Sequence, residues 1–97
     1  MQRCVRFDHA AARSAVVEFR RRAALIEASI ASMAADVGLL ADWRGSARDE
    51  FDTRRRRCVV DARELASALR HAAMQIERAA GRARLAEAEL ASVTAAF

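Results

Sequence analysis

Gly38-Leu39-Leu40-Ala41-Asp42-Trp43-Arg44-Gly45 holds two of the chain's three glycines and lies near the middle of its 97 residues. The chain has no proline, so this segment is the one clear place for it to turn between two stretches rich in alanine, leucine, arginine and glutamate. Each turn residue has a physical task. Gly45 permits a positive backbone torsion or close approach, Trp43 can fold its ring over the end, and Ser46 is placed to cap the helix that follows. Asp49 and Glu50 face the positive end of that helix's dipole. Ala47 and Phe51 fall one turn apart, the small residue leaving room for the indole and the ring closing the first core layer. The reading is an all-α, antiparallel two-helix hairpin forming one domain over 1–97. Its first helix covers about 8–41, its turn about 42–46 and its second helix about 47–95.

Outward from the turn, Val16, Phe19, Ala23, Ile26, Ile30, Met33, Val37 and Leu40 are apolar at every step of an alternating three-four spacing, which is one face of a long helix. The same spacing on the second arm gives Phe51, Arg55, Cys58, Ala62, Leu65, Leu69, Ala72, Ile76, Ala79, Ala83, Ala86, Leu90, Val93 and Phe97, broken only by Arg55. Near the turn, the Arg55 stem can snorkel past the core toward Asp36. Two helices cannot enclose a core as a compact bundle does. A second face of small residues, Val17, Ala24, Ala28, Ala31 and Ala35 on the first arm with Val59, Ala66, Ala73 and Ala80 on the second, is therefore expected to meet another hairpin. The product would be a four-helix bundle. About the last 14 residues overhang the first arm by turn arithmetic, with Leu85, Leu90, Val93 and Phe97 continuing the apolar stripe.

Composition narrows the functional classes. No run approaches the roughly 20 apolar residues of a membrane span, and charged residues interrupt the first thirty, leaving no hydrophobic segment for a Sec signal peptide. Cys4 and Cys58 stand roughly 40 Å apart in a hairpin, beyond disulfide reach. Cys58 falls on the apolar stripe as a small buried hydrophobe. Cys4 and His9 are too few ligands for zinc. His9 and His71 lie on different arms with no nucleophile beside either, so neither catalysis nor a cofactor is expected.

Trp43-Arg44-Gly45, with Ala47 two places after the glycine and Phe51 six after it, at the apex of two helical arms, resembles the WXG superfamily of helical-hairpin proteins exported by type VII secretion in actinobacteria and related bacteria. The resemblance covers the whole chain. It implies a non-catalytic secretion substrate, or the co-secreted dimer partner of one. Such a protein would pair in the cytoplasm with itself or with a second WXG-family chain, be recognised as a folded unit by the secretion ATPase, and reach the exterior or cell surface. Trp43 and Gly45 would contribute to the composite export signal, with Ala47 and Phe51 as structural support. The family's tail signal, a Tyr followed four residues later by Asp or Glu, has no counterpart in a chain without tyrosine; a partner would carry it. A related reading makes the chain an accessory that guides a larger effector into the same route.

The arginines offer a different class of function. All seventeen basic residues are arginine. The run Arg54 to Arg57 and the ridge Arg56, Arg63, Arg70 and Arg84, aligned by seven-residue spacing, could track nucleic-acid phosphates, or dock on anionic lipid or an acidic partner. Against that, Glu50 with Arg54, Asp52 with Arg56 and Arg57 with Asp61 are i,i+4 pairs that neutralise charge within one helix. No stacking aromatic accompanies the ridge.

Overall fold

The computed structural model describes residues 6–96; Cys4 and Phe97, named above, lie outside them. The fold is all-α, with α1 over His9–Gly38, α2 over Ser46–Ala96 and no strand among the described residues. Asp8 caps α1 by accepting a hydrogen bond from the Ala11 amide at 2.9 Å. Cross-helix bonds join His9 to Glu87, Arg20 to Glu77 and Glu27 to Arg70. The partner numbers fall as those of α1 rise, so the helices are antiparallel. A 51-residue helix rises about 77 Å, which sets the longest of the 79 × 25 × 17 Å dimensions. The radius of gyration is 22.4 Å, against about 13 Å for a compact chain of this length.

The expected stripe on α1 is the one that packs: Val16 and Ala23 are buried, and Phe19, Ile26, Ile30, Met33 and Val37 are half-buried. On α2 the seam is displaced from the expected register. Arg55, Ala62, Leu69, Ile76 and Ala83 face α1 as predicted and Ala72 and Ala79 are half-buried, but Val59, Ala66, Ala73 and Ala80 line the seam in place of Cys58 and Leu65. Ala66, Ala73 and Ala80 are buried in the hairpin, whereas Cys58 is exposed and Leu65 is 55% exposed. The reason is volume. The α1 stripe supplies the large side chains Phe19, Ile26, Ile30 and Met33, and small residues opposite them let the axes close without strain.

This register corrects two sequence expectations. Cys58 is not a core residue, and Ala66, Ala73 and Ala80 cannot form a contact with a second hairpin because α1 already covers them. Arg55 also differs. Its nearest carboxylate is Asp52 on its own helix, with Nε 3.8 Å from Oδ1, and no ion pair among the described residues joins it to Asp36.

The buried apolar set is Val16 with four alanines, and no large side chain is fully buried among the described residues. Beyond Glu87, the last residue of α2 bonded to α1, the described helix continues to Ala96 with Leu90 and Val93 exposed. The close seam yields a direct test. Ala73→Leu should lower stability by about 1–3 kcal/mol through overpacking, measured by urea denaturation followed by circular dichroism. Ala31→Leu, on an exposed helix surface, should stay within about 0.5 kcal/mol of the parent.

Candidate functional site

The tip is built by successive short-range bonds. The amides of Leu39 and Leu40 donate to the carbonyls of Asp36 and Val37, each at 3.0 Å, tightening the end of α1. The Trp43 amide then donates to Leu40 O at 2.9 Å, and Gly45, at φ 113°, reverses the chain. A Cβ at Gly45 would meet nothing within 4 Å, so the glycine is required for its torsion, not for space. Ser46 is already the first residue of α2, and the first helical bond runs from Asp49 N to Gly45 O at 3.1 Å. Gly45 thus occupies the cap position assigned above to Ser46.

Sequence reasoning missed the residue that ties this end together. Arg48 donates from Nη1 to the carbonyls of Leu40, at 2.6 Å, and Trp43, at 3.3 Å. Its Nε donates to both oxygens of Asp52 at 3.1 Å. The guanidinium also lies 5.8 Å from the Trp43 ring centroid, within cation–π range. One side chain therefore ties two carbonyls of the turn to the first turns of α2. The signal was present as the i,i+4 spacing of Arg48 and Asp52. It also explains why Asp52 does not pair with Arg56, as expected from sequence.

Trp43 packs on Phe51, with ring centroids 5.4 Å apart, yet remains 39% exposed, and Leu39 beside it is 85% exposed. Ala47 is exposed. The tip thus presents an indole edge and a leucine on a backbone that Gly45 and Arg48 hold in place. Such a surface can bind a protein.

The other expected residues are dispersed. Val17, Ala24, Ala28, Ala31 and Ala35 are exposed along α1, while their expected companions on α2 lie in the seam, with Val59 half-buried. The arginine ridge is a mixed-charge row: Arg70 bonds to Glu27, and Glu77, between Arg70 and Arg84, takes a two-pronged hydrogen bond from Arg20. The Glu27 carboxylate raises the Arg70 pKa above its ordinary value. Arg63 borders a groove with Glu27 and Arg70, Arg84 borders another with His9, Arg13 and Glu77, and Arg56 is exposed. Arg54 pairs with Glu50 at 2.7 Å as expected. Among the described residues Arg57 and Asp61 form no ion pair, and no three His, Cys, Asp or Glu side chains converge. No helix among them is long and apolar enough to cross a membrane.

On α1, Arg21 and Arg22 both donate to Glu18, and these bonds hold its carboxyl at about 2, well below the usual 4.5. Comparison with protein-family models, with characterised proteins and with solved structures finds no match to this chain.

Two tests follow from this geometry. Gly45→Ala should destabilise the hairpin by about 1–2 kcal/mol, whereas Gly38→Ala, in a helix with open space at the Cβ, should be neutral or stabilising by about 0.4–1 kcal/mol; paired urea titrations would compare them. For Glu18, the depressed pKa means that its ion pairs contribute fully above about pH 4.5 and are lost as pH falls through about 2. Carboxyl NMR should give that low midpoint and show it moving toward 4.5 in an Arg21→Ala, Arg22→Ala protein.

Proposed function

We propose that this hairpin is a non-catalytic type VII secretion substrate, or the co-secreted dimer partner of one, acting through protein–protein binding. The observation that carries the reading is the tip. Trp43 and Gly45 lie where two long antiparallel helices reverse, the glycine at φ 113° and the indole half-exposed on a fixed backbone. This is the arrangement expected from the resemblance to the WXG superfamily. Recognition by the secretion ATPase would use that exposed edge together with a tail signal on the partner. The thin core is consistent with a chain that works when paired.

The basic-module alternative is weakened because Arg70 is engaged by Glu27 and the ridge is interrupted by Glu77. A role as accessory to a larger effector uses the same tip and the same export route, and differs only in the size of the partner.

Trp43→Ala tests the reading in the native host. Secretion into the medium should fall about tenfold or more, while circular dichroism and sedimentation of the purified protein remain as in the parent, since the indole is not a seam residue. Deleting the secretion ATPase should abolish export of the unaltered chain. Export that survives that deletion would overturn the proposal, and loss of folding in Trp43→Ala would make the residue structural.

A further inference from the structure

The two broad faces of the hairpin differ in chemistry. On one, a groove that includes Leu25, Met33, Cys58 and Ala62 has no charged lining side chain. The other carries the cross-helix bonds, and these set the levels along it. Arg20 meets Glu77, and seven residues farther along α1 Glu27 meets Arg70, seven residues earlier on α2. One such step beyond each bond, Arg13 comes level with Arg84, and Ala34 with Arg63. Arg56 lies a further step toward the turn. The charged face is thus a row of layers whose two middle members are neutral pairs and whose ends are cationic. Among the described residues no ion pair uses Arg13, Arg56, Arg63 or Arg84.

Each cationic end also borders a groove between the helices. Val16, Ile76 and Ala80 line one together with Arg13 and Arg84. Ile30, Ala31 and Ala34 line the other together with Arg63. The two arginine levels stand three seven-residue steps apart, about 32 Å. From this repeat we infer that the charged face is a two-point docking site for an acidic amphipathic helix of another protein. Such a helix sets an aliphatic side chain into each groove and a carboxylate against the arginines beside it.

The pattern favours a protein over a uniform polyanion. Six arginines accompany two glutamates along the row, so its net field attracts acid. Yet Glu27 and Glu77 are half-exposed in its middle, where the phosphates of a duplex or of lipid headgroups would meet them. A helix can place neutral residues at those layers and its acids three heptads apart, matching charge at both ends without repulsion between them. Covering the apolar face leaves this one open, so the occupant is distinct from a chain that pairs with the hairpin there. The site runs along the arms, away from Trp43, and does not rest on the export reading.

The test uses the full chain and a fluorescein-labelled peptide, an alanine and glutamine helix carrying two Leu-x-x-x-Glu pairs three heptads apart. Fluorescence anisotropy should show binding that weakens about tenfold when the pairs stand one heptad apart, or when both glutamates become glutamine. Arg63→Glu should weaken it about fivefold, and a peptide with arginine in place of one glutamate should recover the loss. Arg57→Glu, at an exposed position outside the row, should leave binding within about twofold, as should Trp43→Ala. Phosphatidylserine vesicles and a DNA duplex should bind more weakly than the peptide at the same salt concentration.

Absence of binding to the two-pair peptide overturns the inference, as does binding that ignores Arg63→Glu or the spacing of the pairs. Vesicles or duplex bound as tightly as the peptide overturn it in favour of a general polyanion surface. A chain that fails to bind the peptide but is still exported leaves the secretion reading standing; one that binds it and is never exported gives the opposite division.

Discussion

Close approach of two helix axes, made by alanine, is the constraint on which the rest depends. Ala66, Ala73 and Ala80 are buried against an α1 stripe whose large members are Phe19, Ile26, Ile30 and Met33. Bulk on one helix meets smallness on the other, so the seam closes although little volume lies within it. That choice fixes the rotation of α2 about its own axis. Once Ala66 and Ala73 face inward, Cys58 and Leu65 must lie to one side and Arg63, Arg70 and Glu77 to the other. The difference between an apolar and a charged face is therefore a consequence of the seam.

At the closed end the seam changes character. Arg48, Asp52 and Arg55 replace the apolar layers that continue farther along α2, and the guanidinium of Arg48 joins the ends of both helices through backbone carbonyls. Satisfaction there is incomplete, since Arg55 Nε is buried without a hydrogen-bond acceptor. An unpaired buried polar atom typically costs about 1–3 kcal/mol, a cost this layer shares with the open end, where His9 Nδ1 is also buried without a partner. Holding Trp43 and Leu39 outward on so polar a base is better suited to recognition than to core formation.

A structure with one seam has two unprotected faces, and their chemistry decides what can cover each. The charged face pairs the groups of its middle layers across the helices and remains compatible with water. The apolar face offers no such groups around its groove, and α2 continues past Glu87 with Leu90 and Val93 exposed. Hydrophobic burial is the dominant favourable term in association, so coverage is expected first on the apolar face. The small-residue surface of Val17, Ala24, Ala28, Ala31 and Ala35 has less area per residue to bury.

By itself the sequence determined the helix content, the place of the turn and the α1 stripe, because each follows from local propensity and from a repeat along one helix; of the two tasks it left open for Gly45, torsion or close approach, the structure selects torsion. The tip residues Trp43, Gly45 and Phe51 were legible for the same reason. Only the tertiary structure decided which of two neighbouring stripes on α2 faces inward. Leu65 and Ala66 are both apolar at heptad spacing, and the periodicity of one helix carries no information about the volume opposite it. The roles of Arg48 and of Arg70 with Glu27 were hidden likewise, since each depends on which groups the fold sets within hydrogen-bonding distance. Tertiary packing thus turned the α2 half of an expected dimer surface into the intramolecular seam, left its α1 half exposed, and exposed a cysteine expected in the core.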